Sequence, residues 1–275
     1  MGAAKRRKAE IDKLKALPPE EQARLRQLRH DQKLVGQGMG FNDPEQDQIA
    51  AMARLLVAEF EKAKNQKSID PVVDFLYSRV EETVSGVEGE LSKLNVAELA
   101  CKKGCSHCCH IWVSVFAPEV LFVAKILKHR DQASIERVMA ANTFTRNYNF
   151  HDRYYHPHPC PLLEDNVCSI YEHSPRACRL AASFDAAKCE RSYINGTKEN
   201  IPTSKFHMNT RYSYDLAFSM ALKNLGFSSA MYEFNSALAR ALELEDAEAR
   251  WLAGEDIFSN VICDPVDIFS TKGHL

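Results

Sequence analysis

Eight cysteines stand between Cys101 and Cys189, and this crowding constrains the chain more than any other feature. The 275 residues suffice to bury a core without crosslinks, so the thiols are not needed as staples. What they are for depends on the compartment. The basic run Lys5, Arg6, Arg7, Lys8 has no apolar segment behind it, so a secretory signal is not expected. Gly2 follows Met1, but Arg6 stands where N-myristoylation requires Ser or Thr. The longest apolar stretches are broken by Arg54 and Glu59 or by Lys125, well short of the ~20 residues of a membrane span. The reading is a cytoplasmic protein. In a reducing compartment, dense thiols bind metal or do redox chemistry rather than form a disulfide framework.

The first group reads Cys101-Lys-Lys-Gly-Cys105-Ser-His-Cys108-Cys109-His110. Spacings this short let one turn of backbone wrap a metal, and Gly104 permits a left-handed bend just before Cys105. Lys102 and Lys103 put positive charge beside the thiols, which favours thiolates. The second group carries Cys160, Cys168 and Cys178, stiffened by Pro159, Pro161 and Pro175, with Arg176 and Arg179 beside Cys178. Cys189 follows. Eight thiols provide two four-cysteine sites, or one centre with thiols to spare. Such donors select zinc, copper(I) or iron–sulfur clusters over hard cations. His107 and His110 are candidate nitrogen ligands, although a histidine next to a metal loop more often stands outside the coordination sphere. Cys263 follows Val261 and Ile262 and reads as a buried structural thiol.

Helical punctuation fills the rest of the chain. Pro18-Pro19 followed by Glu20 and Glu21 opens one helix, and Gly36, Gly38 and Gly40 close it. Asn42-Asp43-Pro44 opens the next, with Ile49, Met52, Leu55, Leu56 and Phe60 on one face. Asp70-Pro71 opens a long helix carrying Val73, Leu76, Val80, Val84, Val87, Leu91 and Leu94, weakened at Gly86 and Gly89. Residues 111–116 are apolar and β-branched and suggest a short strand. Pro118-Glu119 opens another helix, and a further one is expected over 134–144. The stretch 148–161, crowded with His, Tyr and Pro, reads as a loop. Helical patterning resumes after Pro202, stops at Gly226, and returns over 228–252. The expected fold is mainly α, an irregular cysteine-rich metal-binding centre flanked by helical arms. The corresponding division is 1–99, 100–195 and 196–275. Alternating βα units are missing, which argues against doubly wound sheets and βα barrels.

Two motifs together carry a family resemblance. Cys101-x-x-Gly104-Cys105-x-x-Cys108-Cys109 and Glu119 are followed by Cys160-Pro161-Leu162-Leu163, Cys168-x-Ile170-Tyr171 and Pro175-x-x-Cys178-Arg179. The pattern resembles the YkgJ-type cysteine-cluster proteins over about residues 100 to 190. Ser174 departs from the Arg-Pro usual there. The resemblance implies chelation of zinc or iron by Cys101, Cys105, Cys108, Cys109, Cys160, Cys168, Cys178 and Cys189, with Cys189 as a further downstream thiol. A related group, the flagellin lysine methylases, shares a similar cluster and is linked to an iron–sulfur centre. A 4Fe-4S cluster and an enzyme modifying a protein side chain therefore enter as an alternative, beside a thiol redox sensor. The spacing Cys101-x₃-Cys105-x₂-Cys108 also occurs in radical S-adenosylmethionine enzymes. Those build it into a βα barrel, and the adjacent Cys109 is atypical for them.

Other chemistry is sparse. The net charge of −2 gives no global field for nucleic acid or anionic membrane. The basic N-terminal residues alternate with Glu10, Asp12, Glu20 and Glu21, and no aromatic residues punctuate them for base stacking. Gly36-Gln-Gly38-Met-Gly40 lacks the Lys-Ser/Thr of a phosphate loop. His151, Asp152, His156 and His158, alternating with Tyr154 and Tyr155, admit a pocket or a second metal site. The plainer reading, preferred here, is a polar loop packing its tyrosines on the core. The expected ligand is a metal ion, with neither nucleic acid nor membrane as partner.

Overall fold

Apolar residues at helical spacing decide the first element. In the computed structural model, which describes residues 46–92, 98–197 and 199–261, α1 spans Gln46–Gln66. Ile49, Ala53, Leu56, Phe60 and Ala63 form its buried stripe. Leu55, expected on that face, is 51 % exposed. At about 100° per residue it falls beside the stripe rather than on it, and the two alanines complete the face. α2 spans Asp70–Ser92, with Pro71 in its first turn and Val72, Val73, Leu76, Tyr77 and Val80 buried. It runs unbroken through Gly86. The helix expected from Pro18, the glycines 36–40, the start signal at 42–44, Leu94 and Cys263 lie outside the described residues.

The next helices surround the cysteines. α3 (Ala117–Arg130) is buried over most of its length, with Pro118 in its first turn. α4 (Gln132–Thr145) begins where Asp131 accepts the Ser134 backbone N–H at 2.6 Å. Where only a loop was expected, Asn149 caps the short helix α5 (Phe150–Tyr155) by accepting from the Asp152 N–H. α6 (Arg176–Arg179) and α7 (Ala186–Tyr193) carry Cys178 and Cys189. α8 (Lys205–Asn224) starts at the Ser204 cap, and Gly226 stops it at φ +77°, in the left-handed region.

The single helix expected over 228–252 is split. Tyr232–Glu233 forms strand β4 and pairs antiparallel with β1 (Ser114–Val115), Ser114 facing Glu233 and Val115 facing Tyr232. Glu233 then turns the chain into α9 (Phe234–Glu243) by accepting the Ser236 N–H at 2.7 Å. α10 (Ala247–Leu252) follows. A second two-stranded ladder, β2 (Leu163–Glu164) with β3 (Val167–Cys168), is a tight hairpin. The fold is mainly α, with ten α-helices among the described residues.

One apolar cluster joins these elements. α8 packs along α1, and α9 packs on α3 and α4. Phe218 of α8 sits between Phe60 of α1 and Phe116, with ring centroids 5.7 and 5.1 Å away. Burying a side chain of this size contributes about 1.5–3 kcal/mol. Phe218 thus holds α8 against Phe116, the residue that joins β1 to α3.

Candidate metal centre

The first cysteine group is shaped by turns rather than by regular structure. Cys101 lies beside residue 183: Ala100 N–H donates to Ser183 O at 2.8 Å, and Ser183 N–H donates to the Cys101 sulfur at 3.3 Å. Gly104 takes φ +87°, as its position before Cys105 suggested, and Cys105 N–H closes the turn onto Lys102 O at 2.9 Å. A 3₁₀ turn over His107–His110 then presents Cys108 and Cys109 together. Of this group Cys101 is exposed and the other three are partly buried.

The second group is laced to the first through the backbone. Cys160 N–H donates to Cys109 O at 2.8 Å and His158 N–H to His110 O at 2.9 Å, a short ladder holding Cys109 and Cys160 side by side. Buried Arg153 locks it by donating to His110 O and His156 O. The hairpin brings Cys168 opposite Leu163, and its two turn residues, Asp165 and Asn166, adopt φ +51° and +62°. That is the demand of a tight two-residue hairpin, which Asn and Asp meet best among residues with a side chain. Asn166 also accepts the Ser106 hydroxyl at 3.3 Å, joining the hairpin to the first turn. The Asp165-Asn166 pair is the sequence signal for this element. Cys189 is buried on α7, which packs against the 3₁₀ turn.

The thiols feel one another. Burial raises the pKa of Cys101, and Cys105 and Cys108 raise it further. Burial likewise raises Cys189, reinforced by Cys101, Cys108 and Cys105. Burial pushes Cys160 up to about 12, with Cys168, Glu233 and Cys108 adding to it. Cys178 stands well above the usual thiol value through burial and then through Cys160, Cys108 and Cys168. Cys108 is raised by its hydrogen bond with Cys109 and then by burial. Like charges crowded in a poorly solvated place resist ionisation, and a cation among them would relieve that resistance. Among the described residues, no three His, Cys, Asp or Glu side chains are gathered tightly enough to hold a metal ion as they stand. The donor set suits zinc or iron; the sulfurs are neighbours rather than a finished cage.

Residues 100–201 match the CxxCxxCC family. Its model is described as a putative zinc- or iron-chelating domain. No curated protein and no solved structure matches the chain. The matched segment contains all eight clustered thiols, and it ends before α8 begins.

Several neighbours of the clustered thiols have other work. Arg176, beside Cys178 in the sequence, is bound to two carboxylates, Glu119 and Asp215. Lys102 and Lys103 are exposed. His110 pairs through Nδ1 with Ser106 O at 3.0 Å. His158 stacks on Phe144 and His156 on Tyr148, at 4.5 and 4.3 Å, whereas Tyr155, expected to pack on the core, is 49 % exposed. A cavity of about 10 Å³, room for one water, is lined by Cys109, Cys160, Arg153, His158 and Glu233. Elsewhere Ser204, His207 and Glu88 fall in a row, at 2.8 and 3.4 Å. The serine is a fully buried helix cap, so its hydroxyl has no access to a substrate. No described helix is long and apolar enough to cross a membrane.

Proposed function

We propose that the chain is a cytoplasmic metal-binding protein that holds zinc or iron through Cys101, Cys105, Cys108, Cys109, Cys160, Cys168, Cys178 and Cys189. The observation that carries this reading is the backbone pairing that joins the two cysteine groups: Cys160 N–H donates to Cys109 O at 2.8 Å and His158 N–H to His110 O at 2.9 Å. The family description supports zinc or iron as the cargo. A bound cation would supply positive charge to the crowded thiolates and add its binding energy to folding. The chain's own part is to bring soft donors together and to shield them.

Holding metal is read ahead of turnover. The family description speaks of chelation and names no reaction. Iron in this reading is either thiolate-bound iron or a 4Fe-4S cluster, and colour separates both from zinc. The test is metal analysis with an absorption spectrum on protein purified without oxygen, repeated for Cys105→Ala and Cys108→Ala. Metal near stoichiometric in the parent and lost in both variants is expected. Equal metal content in all three proteins would remove the assignment.

A further inference from the structure

The helix that carries Cys178 has four residues, Arg176–Arg179. Isolated helices so short do not hold themselves, so something outside must fix where this one starts. Two carboxylates do. Glu119, on α3, accepts the Arg176 backbone N–H at 2.7 Å, at the helix N-terminus, where a carboxylate is favoured. Asp215, on α8, accepts from Arg176 Nε at 2.9 Å and from its Nη2. The second oxygen of Glu119 lies 3.4 Å from Arg176 Nη1, and Arg211 reaches the second oxygen of Asp215 at 3.5 Å. The rings of Phe116 and Phe218 flank the guanidinium, with centroids 5.4 and 5.7 Å away. Glu119, Arg176 and Asp215 are all buried.

A buried charge trio is a poor source of net stability and a good source of position, because its partners tolerate one arrangement only. Here the arrangement fixes the backbone two residues before Cys178, on the same four-residue helix. Asp215 lies beyond residue 201, outside the matched segment. We infer that Asp215 is a positioning residue of the thiol centre: through Arg176, α8 sets where Cys178 stands relative to Cys160 and Cys168. The inference rests on the metal-binding reading and gives the C-terminal helices a part in it.

The test uses the full chain with Asp215→Ala and Asp215→Asn. The readouts are zinc affinity by chelator competition and the iodoacetamide alkylation rate of each cysteine by peptide mass spectrometry, with and without zinc. In Asp215→Ala, zinc binding should weaken about 10- to 100-fold, the usual effect of losing an outer partner of a metal ligand. Cys178 alkylation should rise about tenfold relative to Cys168, a local opening rather than a general one. Asp215→Asn keeps one acceptor for Arg176 and should show a smaller change in the same direction. A merely structural role for Asp215 would raise all the cysteine rates together and overturn the inference, as would unchanged zinc affinity with Cys178 still protected. If the alanine variant does not fold, the asparagine variant decides alone, and a Cys178-to-Cys168 ratio equal to the parent's overturns the inference. If the parent takes up no zinc or iron, the functional reading fails by itself. The metal-free alkylation ratio then still decides the positioning.

Discussion

Individual side chains differ widely in what they contribute. Cys108 is partly buried in the 3₁₀ turn over His107–His110, whereas Cys101 is exposed. Cys108→Ala should therefore cost more metal affinity than Cys101→Ala, measured by chelator competition; equal losses would contradict this ranking. His207 gives a prediction independent of metal. Burial pushes it down to about 4. The unfolded chain takes up that proton near pH 6.5 and the folded chain resists until about pH 4, so its contribution is full above pH 6.5 and is lost as pH falls through that window. Urea unfolding at about pH 7 and about pH 5 should show a smaller loss in His207→Gln than in the parent. Identical losses would assign the acid sensitivity to other groups. At this scale the crowding of the thiols is plain in the sequence. Charge is less plain, because Arg176 stands two residues before Cys178 yet is committed to Glu119 and Asp215 from distant helices.

Elements show how local signals and tertiary context divide the work. The starts at Asp70-Pro71 and Pro118 and the stop at Gly226 were legible because each rests on backbone chemistry within a few residues. The break at Tyr232–Glu233 was not, because pairing with Ser114–Val115 competes there with helical propensity. The hairpin was legible in principle at Asp165-Asn166. Asn166→Val should destabilise the protein by about 1–2 kcal/mol, the cost of forcing a residue with a branched side chain into the left-handed region. An unchanged unfolding midpoint would mean that the turn readjusts freely. Phe218 links α8 to α1, to Phe116 and to the guanidinium of Arg176. Phe218→Ala should cost about 3–5 kcal/mol in urea unfolding, as for other large core truncations. A loss below about 1 kcal/mol would show that the core there collapses around the gap.

Across the whole molecule, a helical core holds irregular loops whose conformation the thiols alone cannot stabilise. α3 and α8 supply Glu119 and Asp215 to the helix of Cys178, while α7 brings Cys189 against the first turn. The cysteine content announced the chemistry, and the helical periods announced the class of fold. The convergence of the two groups was not readable, since it depends on backbone pairs such as Cys160 with Cys109, 51 residues apart (160 − 109). Metal binding and folding should be coupled, so chelation is expected to loosen the cysteine loops more than the α1–α8 core. The central claim is that sulfur ligates the metal, and X-ray absorption at the metal edge of protein purified without oxygen tests it most directly. Scattering dominated by sulfur, at about 2.3 Å if the metal is zinc, is the expected result. A shell of nitrogen and oxygen alone at about 2.0–2.2 Å would contradict it.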